Sequence, residues 1–349
     1  MRRGRALDSL LVAALFPSCG GGVPPPDREL SELERLAFIP SAECDLPGGG
    51  DFGIERPIVI DLFEITRRDF ELLTKQHPGE VWLARRFAWE EEIPGNVDPG
   101  DWPAFFTFDE ALRLAAWRGM RLPTAREWVH VAVGRRGLKY PWGVDQESVA
   151  NTIETGLGRL SAVGTYENGR CQPFGCYDLV GNVWEWVNGY VPGYDDQDGL
   201  LYRERQIRDL TREDDRDGAS STQIGPRELL VSLMGGAYDS ARRPTFVYND
   251  KDVYTFRFHS RLVDPRTLSP TIGARMCADA EPYLWAASSH WGTGPEVRAR
   301  VRAVAIRWSK DPLARAELRG LLGRLLEREG APAALRWLFE GSDGADLPE

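Results

Sequence analysis

Cysteine and histidine are the side chains of this sequence best suited to redox, nucleophilic or metal chemistry. The five cysteines are Cys19, Cys44, Cys171, Cys176 and Cys277. The four histidines are His77, His130, His259 and His290. No two histidines have the short spacing that places two ligands on one metal ion. The sequence also contains no nucleophile elbow and no phosphate-binding loop, so it indicates no catalytic centre of those classes.

Four of the cysteines form an even set that favours disulfides in an oxidising compartment. Cys171 and Cys176 flank a Pro-Phe-Gly turn, and we expect a small-loop disulfide between them. Cys44 and Cys277 would then pair and join the two ends of the central domain. Four cysteines allow three connectivities, and free buried thiols are the other interpretation.

The remaining cysteine, Cys19, lies at the end of a segment typical of export signals. Basic residues within 1–5 precede a short apolar run at 10–16, which is too short to span a membrane. A cysteine directly after such a run is typical of bacterial lipoproteins, in which it becomes the lipid-bearing first residue. We expect a lipoprotein-type signal peptide over 1–19, with an ordinary signal peptide as the alternative. A Gly/Pro-rich tether over 20–35 would follow, although the polar residues 27–37 also show a short helical pattern.

These features predict an exported protein of the bacterial cell envelope, either a periplasmic or an outer-membrane lipoprotein. Contact with a membrane is expected only through the lipid anchor, because the chain has no apolar run long enough for a spanning helix. With 43 Lys+Arg against 53 Asp+Glu, the formal net charge of the 349 residues is -10. This acidic balance disfavours nucleic acid as a partner, since such binding needs a basic face.

The local patterns predict helices and short strands without the strand–helix alternation of a doubly wound sheet. Capping boxes at Thr107 and Thr124, each with a glutamate three residues later, predict two helix starts. Residues 57–65 predict a strand, and Thr66 is expected to cap the helix after it. Abundant turns with 36 Gly, 24 Pro and 12 Trp complete the pattern of an irregular α+β fold.

Two further segments differ in composition from the central domain. Residues 193–227 are strongly charged, and we expect a solvated insertion there. Residues 279–349 carry apolar stripes at helical spacing and predict a small helical extension. We expect these helices to pack on the central domain, the alternative being that they bind a partner protein.

Four segments in order carry a resemblance to a known family. They are IVIDLFEITRRDF at 58–70, RLPTAREW at 121–128, FGCYDLVGNVWEW at 174–186, and GGAY at 235–238 with IGARM closing at 272–276. Together they resemble the formylglycine-generating enzymes, or sulfatase-modifying factor domains, over residues 36–278. The resemblance implies an irregular α+β domain related to C-type lectins.

The resemblance implies a redox site that this chain lacks. Family enzymes oxidise a cysteine of a sulfatase to formylglycine, and in copper-dependent members two cysteines hold Cu(I). Ser240 and Thr245 occupy the two matching positions, and no cysteine lies between 235 and 276. Soft thiolates select Cu(I), whereas a hydroxyl is a hard ligand with a high pKa. We therefore expect no copper and no catalytic residue at these degenerate positions.

The resemblance also implies a structural calcium ion beside the GNVWEW block. Its ligands would be the side chains of Asp178 and Glu185 and the backbone carbonyls of Gly181 and Val183. Carboxylates and carbonyls suit this hard cation. In the alternative interpretation, Glu185 caps backbone amides and Asp178 begins an Asx turn.

The substrate face of the relatives places a candidate ligand groove around Tyr238, Ser240, Arg242 and Arg243. Our leading hypothesis is a non-catalytic binding or structural module whose ligand is an unknown protein or glycan. The alternative is a formylglycine-generating-type oxidase or protein-modifying enzyme that uses an unrecognised site. A third hypothesis gives the active role to partner docking by the C-terminal helices.

Overall fold

The computed structural model describes residues 26–43, 53–79, 98–135, 137–143, 149–172, 174–188, 231–241, 246–248, 254–256 and 260–343. The predicted signal peptide, Cys19, Cys44, the charged segment 193–227, Arg242, Arg243 and Thr245 lie outside these residues. Among the described residues, no helix is long and apolar enough to cross a membrane.

Helices and short strands are interspersed along the chain, which confirms the predicted α+β class. The helices are α1 (Pro26–Glu34), α2 (Arg67–Gln76), α3 (Phe108–Trp117), α4 (Ala125–Val133), α5 (Ala280–Ser288), α6 (Pro295–Trp308), α7 (Pro312–Leu326) and α8 (Ala333–Gly341). The strands are β1 (Leu36–Ile39), β2 (Ile58–Asp61), β3 (Trp184–Val187), β4 (Val231–Met234), β5 (Phe246–Tyr248), β6 (Tyr254–Phe256), β7 (Ser260–Val263), β8 (Ile272–Gly273) and β9 (Cys277–Asp279).

The strands of the described part form two small sheets and a hairpin. One sheet is antiparallel in the order β1-β2-β9. The second has the order β7-β4-β3-β8, and only its β3–β8 pair is parallel. Strands β5 and β6 pair as an antiparallel hairpin. The second sheet matters most for function, because Asn182 lies just before β3 and β4 leads into the turn that carries Ser240.

The first sheet separates two apolar clusters because successive side chains of a strand point to opposite faces. Phe38 and Val59 face a cluster shared with α2, α3 and the C-terminal helices. Ile58 and Ile60 face the other cluster, which contains Trp128 of α4. Both faces are therefore covered. The strand predicted over 57–65 forms only over 58–61, and all four of its residues are buried.

Side-chain caps start the central helices as the sequence predicts. The hydroxyl of Thr107 accepts from the Glu110 amide, and that of Thr124 accepts from the Glu127 amide. In both boxes the glutamate accepts from the backbone N–H of the capping threonine in return. Thr66 caps α2 in the same manner with Asp69. Each box satisfies backbone donors that a helix start leaves unpaired.

The C-terminal helices pack on the central domain, as expected. Val301, Val304 and Trp308 of α6 are buried in the same cluster as the β1 and β2 side chains. The indole nitrogen of Trp308 donates to the Leu36 carbonyl over 2.9 Å. This contact fixes the extension to the edge strand β1.

The predicted tether over 20–35 is wrong for its second half, because residues 26–34 form helix α1. Leu30 and Leu33 are buried against the core, and the Arg300 guanidinium binds the Glu34 carboxylate through two contacts of 2.7 Å. Helix α1 is thus stabilised by α6, which lies at the far end of the sequence. The composition of residues 20–35 does not indicate that Arg300 binds there.

The Glu34→Gln variant is expected to lose less stability than the wild type on acidification. The hydrogen bonds from Arg300 lower the pKa of Glu34. A lowered folded-state pKa means that the pair stabilises the fold above the unfolded-state pKa, and that this contribution disappears as pH falls through the folded-state pKa. Since the pair is partly exposed, we expect a difference below about 1 kcal/mol.

Urea unfolding at neutral pH and at about pH 3 measures this difference. The matched control is Glu296→Gln, an exposed glutamate of α6. Equal acid sensitivity of Glu34→Gln and the wild type would show that the pair does not hold α1.

Candidate functional site

The segment after β4 forms a closed turn that carries Ser240. The Ser240 hydroxyl oxygen accepts from the Ala237 N–H over 3.0 Å, and the Ser240 N–H donates to the Ala237 carbonyl over 2.9 Å. Gly235 and Gly236 lead into this turn with positive φ angles of 95° and 81°. The hydroxyl at the first degenerate position therefore serves to close its own backbone turn.

Two neighbouring segments position this turn. The Ile153 N–H donates to the Ser240 carbonyl over 3.2 Å, and the Tyr238 N–H donates to the Asn182 carbonyl over 3.0 Å. The Ile153 side chain is 60% exposed, so an apolar side chain reaches solvent beside Ser240. The structure thus brings two of the predicted groove residues, Tyr238 and Ser240, to one surface.

Beneath this surface, a buried ion pair joins β3 to the closing segment before β9. The Arg275 Nη2 lies 2.6 Å from the Glu185 Oε1, and the Arg275 Nε lies 2.8 Å from the Oε2. Both side chains are essentially inaccessible, with 0% and 1% exposure. The Trp128 indole donates to the same Oε2 over 2.7 Å, so both carboxylate oxygens of Glu185 have strong partners.

Two further buried carboxylates lie near this pair. Glu64 accepts from the Asn182 side-chain amide over 2.6 Å and from the Val183 N–H over 3.2 Å. Burial, together with the charges of Asp178 and Glu185, raises the pKa of Glu64 well above its usual range. Burial likewise raises the pKa of Asp178 to about 6. Of the three carboxylates, Glu185 contacts Arg275 directly, and the charge of Arg275 acts against the rise in the pKa of Glu64 and of Asp178.

Sequence reasoning gave no role to Glu64 or Arg275. Arg275 is the one charged residue of the IGARM motif, which is the signal that could have identified it, whereas Glu64 lies in a motif with four other charged residues. A charge in such a setting needs a buried partner. The partner itself is set by the tertiary fold, because Arg275 and Glu185 are 90 positions apart.

The predicted calcium ligands do not fit an ion that uses Glu185. Its oxygens are held by Arg275 and Trp128, and the Asp178 Oδ2 accepts from the Gly164 N–H over 2.7 Å. Within the described residues, no group of three or more His, Cys, Asp or Glu side chains is arranged to hold a metal ion. The carbonyls of Gly181 and Val183 alone define no site, and calcium binding by this chain stays a prediction.

The predicted disulfides are not formed by the described cysteines, since Cys171, Cys176 and Cys277 are all free and buried. The Cys171 thiol donates to the Val131 carbonyl over 3.0 Å, and the Cys277 sulfur accepts from the Arg121 guanidinium over 3.0 Å. Backbone hydrogen bonds close the Cys171–Cys176 turn without a bridge. Burial raises the pKa of all three thiols, that of Cys176 to about 12.

Alkylation with iodoacetamide is expected to separate the folded and unfolded chains. In the folded protein, Cys171, Cys176 and Cys277 should stay unmodified, because they are buried and protonated. After unfolding without reductant, all three should be modified in full, as read by peptide mass spectrometry. A peptide containing unmodified Cys171 and Cys176 and lacking two hydrogens would contradict the free-thiol structure.

Residues 51–280 match the family model described as "Sulfatase-modifying factor enzyme 1-like domain". The mouse (Mus musculus) protein named "Inactive C-alpha-formylglycine-generating enzyme 2" is 32% identical over 299 residues, covering 65% of this chain and 92% of its own length.

Two bacterial enzymes match over shorter regions. The formylglycine-generating enzyme of Mycobacterium tuberculosis is 41% identical over 122 residues, covering 32% of this chain and 40% of the enzyme. The hercynine oxygenase of Mycolicibacterium smegmatis is 41% identical over 138 residues, covering 37% of this chain and 31% of the enzyme. The match therefore spans less than half of either enzyme.

Solved structures match at low sequence identity. The crystal structure of CarF gives a TM-score of 0.46 at 16% identity, covering 70% of this chain and 97% of CarF. PvdO from Pseudomonas aeruginosa gives 0.45 at 18% identity, covering 70% of this chain and 94% of PvdO. The family match over 51–280, with the relative matched over 92% of its length, shows that this chain belongs to the sulfatase-modifying factor enzyme 1-like domain family.

Proposed function

We propose that this chain is a non-catalytic binding module built on the sulfatase-modifying factor scaffold. The observation that carries the proposal is the Ser240 turn. Where the resemblance to the formylglycine-generating enzymes expects the first copper-binding thiol, a hydroxyl instead accepts from the Ala237 N–H over 3.0 Å. A side chain with this structural role does not supply the soft ligand that Cu(I) requires.

The remaining thiols of the described residues are poor substitutes. Cys171, Cys176 and Cys277 are buried, and burial raises the pKa of each thiol, so the thiolate form that binds metal is disfavoured. Their sulfurs also lie in the core beneath helix α4 and the first sheet rather than on the Ser240 surface. An oxidase using these residues would have to rearrange its core.

The comparisons support a module that keeps the scaffold without the activity. The mouse relative whose name marks it as inactive is matched over 92% of its length. The named formylglycine-generating enzyme of Mycobacterium tuberculosis is matched over only 40% of its length. Fold and chemistry separate readily in families of this kind, because activity depends on a few side chains.

The surface of Tyr238, Ser240 and exposed Ile153 is the binding face in this proposal. Its backbone is fixed by hydrogen bonds to the Asn182 and Ser240 carbonyls, and the apolar side chain of Ile153 reaches solvent. A pre-formed surface of this kind binds a protein or glycan ligand without the cost of ordering a loop. The proposal includes export and a lipid on Cys19, which would hold the module at the cell envelope.

A peptide oxidation assay tests the absence of activity. The full-length chain is incubated with Cu(I), oxygen and a sulfatase peptide that contains the target cysteine, and the aldehyde product is measured by mass spectrometry. We expect no aldehyde, while the Mycobacterium tuberculosis enzyme serves as the positive control. Aldehyde formation by the wild-type chain would overturn the proposal, and its survival in Ser240→Ala would favour an enzyme with an unrecognised site.

A further inference from the structure

A cavity of about 220 Å³ lies between α1, α2 and the end of β2, among residues that the proposed binding face does not include. Ser31, Glu32 and Arg35 of α1 form one side of it. Helix α1 lies outside the residues 51–280 that match the family. The cavity is therefore created where this chain's own N-terminal helix meets the family domain.

The polar wall of the cavity consists of charged side chains that form ion pairs with other side chains of the protein. The Arg118 guanidinium binds both oxygens of Asp61 over 2.8 Å, with side-chain exposures of only 6% and 7%. The Arg35 Nη1 lies 2.7 Å from the Asp69 Oδ1. The Glu32 carboxylate lies 3.6 Å from the Arg118 Nε. A charged ligand would have to compete with these pairs, and separating buried partners is costly.

The charges that line the cavity also balance. Arg35, Arg68 and Arg118 contribute three positive groups, and Glu32, Asp61 and Asp69 contribute three negative groups. Arg68 is itself paired with Asp98 over 2.6 Å and with Asp101 over 3.1 Å, so each guanidinium of this wall already has a carboxylate partner, which disfavours the binding of an anion. The wall instead consists of guanidinium N–H donors next to carboxylate acceptors. These groups retain hydrogen-bonding capacity beyond their ion pairs.

Apolar side chains complete the lining. Phe63, Ile65 and Leu73 lie beside the ion pairs, and Leu72 at the rim is 46% exposed. The Phe63 ring is held by stacking on Tyr177, with ring centroids 4.9 Å apart. An apolar surface beside convergent polar groups is the usual composition of a small-molecule site.

We propose that this cavity binds a neutral, hydroxyl-rich small molecule of the size of one sugar ring. Each hydroxyl both donates and accepts a hydrogen bond, so it fits alternating Arg and Asp groups without breaking their pairs. The C–H faces of a sugar ring fit the apolar side chains. The volume lies below the roughly 300–1,000 Å³ of sites for drug-sized ligands, which limits the occupant to a single ring.

Saturation-transfer NMR on the full chain tests this proposal with glucose, galactose and N-acetylglucosamine as probes. Glycine and inorganic phosphate serve as the zwitterionic and anionic comparisons. We expect at least one sugar to bind and the two charged probes not to bind. Ser31→Phe, which places a ring in the cavity from the exposed side of α1, should weaken sugar binding by at least about tenfold.

The matched control is Ser289→Phe, which makes the same replacement at an exposed serine at the end of α5. It should leave sugar binding unchanged, and the thermal melting of both variants reports whether they fold. If Ser31→Phe does not fold, Leu72→Trp at the rim replaces it with the same expected loss of binding. Failure of all three sugars to bind, binding that survives a folded cavity variant, or binding of glycine or phosphate instead would each overturn the proposal. These outcomes are independent of the peptide oxidation assay, which concerns the Ser240 turn.

Discussion

Replacing Arg275 with methionine is expected to lower the free energy of unfolding by about 3–5 kcal/mol. The variant keeps most of the side-chain volume but removes the guanidinium, so the buried carboxylate of Glu185 loses its counter-charge. Arg275 also donates to the Tyr177 carbonyl over 2.7 Å and to the Asp61 and Leu62 carbonyls over 3.3 Å. The segments that contain Leu62, Tyr177 and Glu185 would thus lose the donor that they share.

The matched control for this prediction is Arg266→Met. Arg266 forms an ion pair with Asp264 in solvent, with 76% of its side chain exposed. Exposed pairs contribute about 0–1 kcal/mol, so this variant should unfold close to the wild type. Urea or guanidinium unfolding, followed by tryptophan fluorescence, gives both values. Equal stabilities of the two variants would contradict a central role for the Arg275–Glu185 pair.

A second large loss of the free energy of unfolding is expected for Gly181→Ala. Gly181 has a φ angle of 87°, and an added Cβ would lie 2.1 Å from the Asn151 carbonyl oxygen. This oxygen accepts from the Asn182 N–H over 2.8 Å and cannot move without breaking that bond. We expect a loss above about 4 kcal/mol, which is in the range of severe core defects.

Gly156 serves as the control, because it has a positive φ angle like that of Gly181 but no steric clash. Gly156 has a φ angle of 69°, but an added Cβ meets nothing within 4 Å. Gly156→Ala should therefore lose only the roughly 1–2 kcal/mol that a left-handed conformation costs an L-residue. If Gly181→Ala is no less stable than Gly156→Ala, the close approach at Asn151 is absent in solution.

The segment that contains Gly181 is hydrogen-bonded to the turn that carries Ser240. The Asn182 carbonyl accepts from the Tyr238 N–H, and the Gly235 carbonyl accepts from the Gly181 N–H over 3.2 Å. A displacement of Gly181 would thus reach the turn that carries Ser240. Glycine at this position allows two chain segments to approach closely enough to fix the proposed binding face.

Features encoded by local sequence were predictable, and they are found in the structure. The caps at Thr107 and Thr124 depend on contacts three residues apart, and the strand at 58–61 depends on its own β-branched residues. The family motifs were sufficient to identify the fold class. These signals are short-range, so they do not depend on where the rest of the chain lies.

Features decided by distant partners were not predictable. Helix α1 is held by Arg300, which lies 266 positions from Glu34, and the local sequence was compatible both with a short helix and with a tether. Glu185 is paired by Arg275, which no spacing rule connects to it. The short interval between Cys171 and Cys176 suggested a bridge, but the Cys171 thiol instead donates to the Val131 carbonyl. In each case a tertiary contact decided between two locally reasonable outcomes.

The most direct test of a non-catalytic module is the affinity of the purified chain for Cu(I). The measurement uses competition with a chromophoric Cu(I) chelator, in a background where Cys19 and Cys44 are replaced by serine. The chain should then leave all copper with the chelator, because Ser240 and Thr245 provide no thiolate and the described cysteines are buried. Uptake of one Cu(I) per chain that is lost on replacing Ser240 and Thr245 with alanine would contradict this account.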